Sequence, residues 1–224
     1  MKLSLSITLS LLALAAVVAP RPVHATVPPN LILNNSFEDA RDSYDYSDGF
    51  FTYLNAPGWS VDGNVLFSGG EGRSDGDIAA VFNKYNSPDG NSIFQSFSTT
   101  VGQRYQVRYD YGAFGDPNTQ TLNASVTGNS LLGSNSVSVL ATGNGPGANP
   151  GVVFHAYSFE FIADSTTTTL KFDDKGSSSF SEDGILDNVS VQAAPEASTV
   201  VLFALTIAGC VVLLRRRHRQ KTTA

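Results

Sequence analysis

The chain predicts an all-β sandwich. Between residues 26 and 194 no segment keeps apolar residues at i, i+3, i+4 and i+7 for three turns, so no amphipathic helix is expected there. Short runs alternating apolar with polar residues recur instead, and Gly, Asn, Ser and Pro separate them as turn formers. About 170 residues lie in this stretch, enough for one domain with a core but not for two.

Asn30 to Asn34 opens the domain and Ser36-Phe37-Glu38 follows. Arg41 to Gly49 is polar and Asp-rich, which reads as a loop. Phe50 to Tyr53 and Pro57 to Val61 lead into a strand, and Val65 to Phe67 is a short strand ending at Gly69-Gly70. Glu71 to Asp77 reads as a turn. Ile78 to Phe82 is apolar on both faces, as a central strand must be. Ser92 to Phe97 is next, and Gly102 to Tyr111 is the clearest strand. Its odd residues Tyr105, Val107, Tyr109 and Tyr111 face a core, while Gln106, Arg108 and Asp110 face the other way. The alternation returns in Leu122 to Thr127, Val137 to Val139, Phe154 to Phe161, Thr166 to Phe172 and Ile185 to Val191. Nine or ten strands of this kind suit two packed antiparallel sheets. Gly143 to Gly151, with four glycines and two prolines, reads as a loop on the rim.

Both chain ends read as address labels. Lys2, the apolar run Leu3 to Val18 and the small residues around Val23-His24-Ala25 form a secretory signal peptide over 1–25. At the other end Val200 to Leu214 is uncharged with Thr206 as its one polar residue, long enough to cross a bilayer as a short helix. The arginines after it, Arg215, Arg216, Arg217 and Arg219, are a cytoplasmic anchor under the positive-inside rule. The expected organisation is a signal peptide over 1–25, an ectodomain over 26–191, a linker over 192–198, a membrane helix over 199–214 and a basic tail over 215–224.

Seven of the fourteen Lys and Arg residues lie outside 26–194, whereas nineteen of the twenty acids lie inside, giving the domain a net charge of 7 − 19 = −12. Such a surface repels phosphate backbones, so no nucleic acid is expected as a partner. The one cysteine, Cys210, sits in the apolar tail. An exported domain without disulfides must be held by packing, aided or not by a bound ion.

Pro195-Glu196, a short apolar helix and the cluster Arg215-Arg216-Arg217, in that order, resemble the PEP-CTERM sorting signal of bacteria. Ala197 stands where that signal has its second proline. The resemblance implies delivery to the membrane, processing by an exosortase-type protease, and a product that is membrane-anchored, or at the cell surface or extracellular once the tail is cut. Asn34-Asn35-Ser36-Phe37-Glu38, Gly58-Trp59, Gly102-Gln103-Arg104-Tyr105 and Leu186-Asp187-Asn188-Val189-Ser190-Val191 resemble the galactose-binding-like jelly rolls. That group includes carbohydrate-binding modules, DUF642 proteins and choice-of-anchor domains. This resemblance implies a jelly-roll β-sandwich and a glycan or extracellular polysaccharide as partner. It further implies a structural calcium at Glu38 and Asp187, where hard oxygens from both chain ends would meet. The alternative for these two residues is turn capping or ion pairing.

A sugar site combines an aromatic platform with polar side chains for hydroxyls. Gln106, Arg108 and Asp110 are the candidate polar set, joined by Asn123 and Ser125 or by Ser158 and Glu160. Tyr44, Tyr46, Phe50 and Tyr53 are loop aromatics placed to overhang such a face, and Trp59 is expected in the core. The other reading of the same face is an ordinary solvated sheet surface. Enzyme readings find less. Gly72-Arg73-Ser74-Asp75-Gly76 has the letters of a nucleophile elbow but lies among turn formers, and His155 is the one histidine between residues 26 and 194. No pair among the nineteen acids is singled out for glycoside hydrolysis. The function expected is a non-catalytic exported glycan-binding module. A structural or adhesive surface protein is the alternative, followed by a glycoside hydrolase or esterase.

Overall fold

The computed structural model describes residues 27–40, 44–45, 52–82, 91–115, 117–142, 151–176 and 182–194. The expectations for both chain ends, and for Tyr46 and Phe50, lie outside these residues. Twelve strands and no helix are present among the described residues: β1 (Tyr44–Asp45), β2 (Thr52–Tyr53), β3 (Ser60–Asp62), β4 (Val65–Ser68), β5 (Ala79–Phe82), β6 (Ser92–Ser98), β7 (Arg104–Gly115), β8 (Thr119–Thr127), β9 (Leu131–Leu140), β10 (His155–Ile162), β11 (Thr167–Asp174) and β12 (Glu182–Ala193). They form a seven-stranded sheet in the order β1-β2-β4-β5-β12-β7-β10 and a five-stranded sheet in the order β3-β6-β11-β8-β9. Every pairing is antiparallel. The fold is the expected β-sandwich.

Alternation along the strands builds the core. In β7 the residues Tyr105, Val107, Tyr109 and Tyr111 are buried, and Leu122, Ala124 and Val126 of β8 and Leu170 and Phe172 of β11 meet them from the other sheet. Tyr109 and Phe172 touch edge to face across the sandwich, with ring centroids 5.1 Å apart. Trp59 is in this core as expected, 5.3 Å from Phe37 and 6.3 Å from Phe172, with its indole N–H donated to the Asn34 carbonyl at 3.0 Å.

Three elements differ from expectation. The first is the opening segment, which forms no strand. Pro28 and Pro29 lack the N–H groups that a ladder needs, so Asn30 takes over the pairing with β12 through its side chain. Its Oδ1 accepts from Val191 N–H at 2.9 Å and its Nδ2 donates to Val189 O at 3.1 Å. Left-handed backbone at Asn34 and Phe37 then turns the chain away. The second is the expected loop at 41–49, which holds the two-residue strand β1. The third is β12, which runs two residues beyond the expected boundary at 191. Gln192 and Ala193 pair with Gln106 and Tyr105, so they belong to the sandwich rather than to a linker.

β4 and β5 are buried on both faces, as expected of Ile78 to Phe82. Leu66, Val81 and Ile185 lie outside the main core cluster yet are at most 4% exposed. Ile185 is covered by the loop around residues 70–77, against which the segment 151–154 packs: a Cβ placed on Gly72 would lie 3.1 Å from Val152 and 3.7 Å from Ile185.

Candidate functional site

A groove of about 450 Å³ runs over the outer face of the larger sheet, lined by residues of β7, β10 and β12. Register fixes its floor. Arg108 pairs with Ser158 on one side and Ser190 on the other, and Asp110 pairs with Ala156 and Asp187. Directly opposed residues of antiparallel strands share a face, so Arg108, Ser158, Ser190, Asp110 and Ala156 all present outward. Gln106 continues the row, flanked by Glu160 and Gln192.

Residues 187–190 of β12 are the irregular part. A bulge interrupts the pairing between Asp187 and Ser190, and Asn188 takes φ of 51° there. The extra residue reverses the parity of the strand: Leu186 faces the core before it, Val189 and Val191 after it. Ser190 and Gln192 are thereby turned onto the groove, and the Asn188 amide reaches Asp110.

Asp110 Oδ2 accepts from Ser74 Oγ at 2.9 Å and from Asn188 Nδ2 at 3.1 Å. Arg108 Nε donates to Gln106 Oε1 at 2.9 Å. Arg104 and Glu160 form an exposed ion pair at 3.0 Å. Of the sequence candidates, Gln106, Arg108 and Asp110 thus share one face with Ser158 and Glu160. Asn123 and Ser125 do not join them, because β8 belongs to the other sheet. Tyr44 and Tyr53 pair with each other in β1 and β2, and three strands, β4, β5 and β12, separate β2 from β7. At about 4.8 Å per strand β2 stands some 19 Å from the Arg108 row and β1 about 24 Å, too far for loop aromatics there to overhang it. Tyr53 packs against the core instead.

Glu38 and Asp187 both hold the loop around residues 70–77. Glu38 Oε1 accepts from the backbone N–H groups of Asp77 and Ile78 at 2.8 and 2.9 Å. Asp187 Oδ2 accepts from Ser74 N–H at 2.7 Å and Asp75 N–H at 2.8 Å, and its Oδ1 accepts from Asn188 N–H at 2.7 Å. Burial pushes the Asp187 carboxyl up to about 6, and the N–H groups of Asp75, Ser74 and Asn188 pull the other way. N–H donors turn their positive ends toward these oxygens, whereas a cation needs oxygen lone pairs turned toward it. Among the described residues no cluster of three or more His, Cys, Asp or Glu is placed to hold a metal. The two carboxylates thus spend these lone pairs on backbone N–H groups. They clamp the loop directly.

Reasoning from the sequence missed Ser74, Ala156, Asn188, Ser190 and Gln192. One signal was readable: the apolar parity changes between Leu186 and Val189, which marks a bulge. Ser74, in the middle of the Gly72 to Gly76 letters, has its hydroxyl against the carboxylates of Asp110 and Asp187.

No protein-family pattern matches the chain, and no curated protein matches it in sequence. Among solved structures it is similar to the CBM22-1 xylan-binding domain of Xyn10C from Paenibacillus barcinonensis, at 13% identity and a TM-score of 0.51, over 77% of this chain and 99% of that one. The fold is that of this module. It is also similar to a family 61 module solved with β-1,4-galactotriose, at 15% identity and a TM-score of 0.42, over 74% of this chain and 99% of the other. A family 4 module follows at 13% identity and 0.43, over 73% and 99%.

Proposed function

We propose that this protein is an exported, non-catalytic module that binds a glycan in the groove over β12, β7 and β10. The observation that carries the reading is the groove floor itself. Arg108, Asp110, Ser158, Asn188, Ser190 and Gln192 set charged, amide and hydroxyl groups side by side on a rigid sheet. Such a surface offers donors and acceptors in turn, which is what a ring bearing several hydroxyls requires. The likeness of fold to a xylan-binding domain supports the same reading. Export and sorting rest on Lys2, the apolar segments at both ends, Pro195, Glu196, and Arg215 to Arg217. The membrane, and an exosortase-type protease acting near Pro195, are the partners this part proposes.

The test is retention of the full chain on immobilised polysaccharides, in a detergent without a sugar headgroup. Arg108→Gln and Asp110→Asn are expected to lose retention while melting at the temperature of the parent chain. Unchanged retention in both variants would remove the groove from the proposal.

A further inference from the structure

We propose that the groove receives the end of a glycan chain, not its middle. This inference rests on the glycan reading above and goes beyond it by naming which part of the glycan is recognised. Along β7 the outward residues are Gln106, Arg108, Asp110 and then Gly112. The groove stops at Gly112. The segment 151–154 crosses the sheet there so closely that a Cβ on Gly112 would lie 2.8 Å from Val152 Cγ1 and 3.0 Å from Val153 O. Val153 N–H donates to Thr142 Oγ1 at 3.1 Å, which ties this strap to the end of the sandwich.

Beside the strap stands the loop held by Asp187. Ser74 leans from it onto Asp110, and the two covering segments touch, because a Cβ on Gly72 would lie 3.1 Å from both Cβ and Cγ2 of Val152. The wall therefore continues from β10 across β7 to β12. At the opposite end, beyond Gln106, the side chains of Arg104 and Glu160 are 53% and 47% exposed. One end is closed and the other meets solvent.

The chemistry at the wall matches a terminal sugar. Asp110 offers its second carboxylate oxygen as an acceptor, the Asn188 amide keeps one N–H to donate, and Ser74, whose proton goes to the carboxylates, offers its oxygen as an acceptor. The last sugar of a chain has a free hydroxyl where every inner sugar has a glycosidic oxygen. The free hydroxyl donates and accepts, so it satisfies this mixed set. A glycosidic oxygen only accepts, and the next ring would have to occupy the space held by Val152 and Ser74.

The experiment is calorimetric titration of the full chain with oligosaccharide ladders cut from the polysaccharide that it retains, with β-1,4-galactan and β-1,4-xylan ladders as the first probes. Affinity is expected to level off at a short oligosaccharide and to change less than about twofold beyond it. Borohydride-reduced ladders assign the end: lost binding marks the reducing terminus, kept binding the other. Asn188→Gly, which keeps the left-handed backbone, is expected to weaken every ladder member by a similar factor, about tenfold for one lost hydrogen bond. Affinity that climbs steadily with chain length overturns the inference. So does retention of a polymer whose short chains are all ignored, and both results leave the glycan reading standing. No retention on any polysaccharide removes that reading as well.

Discussion

Asp164 shows how much a single exposed carboxylate organises here. It accepts from Asn129 N–H at 2.8 Å, Ser130 N–H at 3.1 Å and Ser130 Oγ at 2.8 Å, closing the turn between β8 and β9. The Asn129 backbone bond chiefly, with the Ser130 bonds, holds its carboxyl below the usual value. A depressed folded value means that its stabilisation is present above the ordinary carboxylate range and is lost as pH falls through the folded value. Urea midpoints between about pH 5 and about pH 3 are therefore expected to fall more steeply for the parent chain than for Asp164→Asn. Equal slopes would show that the turn does not depend on the charge. Gln120 is the opposite case. It is fully buried in β8, and neither its Nε2 nor its Oε1 has a partner. Desolvating an amide without hydrogen bonds costs about 1–3 kcal/mol. Gln120→Met, which keeps the length of the side chain, is expected to raise stability by that order in equilibrium unfolding. A loss of stability would mean that an ordered water meets the amide.

Among the elements, the bulge in β12 and the loop around residues 70–77 make the site, and they were the least readable parts of the sequence. Strand β7 was plain because four apolar and four polar residues alternate without a break from Arg104 to Tyr111. The loop was not, since its position depends on Glu38 and Asp187, which are far from it in sequence. The overhang expected of Tyr44 and Tyr53 failed for a related reason: local sequence does not say which sheet edge a short strand joins, and these two join the far one. If the carboxylates clamp the loop unaided, EDTA should leave the melting temperature of the parent unchanged. Glu38→Ala, which deprives two N–H groups of their acceptor, should cost about 1–3 kcal/mol. A fall in melting temperature with EDTA, restored by calcium, would reverse this reading of the two residues. At the bulge, Asn188→Val is expected to cost about 1–2 kcal/mol more than Asn188→Gly, because a β-branched residue resists the left-handed backbone.

For the whole molecule, sandwich architecture followed from short alternating runs in a chain without helical periodicity, and the groove was partly legible through the outward row of β7. The cover beyond its Gly112 end was not, because it comes from segments 72–76 and 151–154 meeting over the sheet from opposite halves of the domain. Charge is the remaining molecular property that bears on binding. A domain of net −12 repels anionic polymers at long range, and Asp110 on the groove floor adds to that locally. Arg108 is the one cation among the described residues that line the groove. Recognition should therefore run through short-range hydrogen bonds to an uncharged glycan, which salt hardly screens. Raising salt from about 50 mM to about 200 mM, enough to weaken a phosphate-binding protein by orders of magnitude, is expected to leave the dissociation constant within about twofold. A steep loss of affinity over that range would mean that ion pairing with Arg108 dominates and that the bound sugar is acidic. A gain would mean that the domain's own negative field had been opposing an anionic chain. Titrating the parent chain and Arg108→Gln with the same oligosaccharide at both salt concentrations separates these outcomes, because only in the acidic-sugar case does the variant lose the salt dependence along with the affinity.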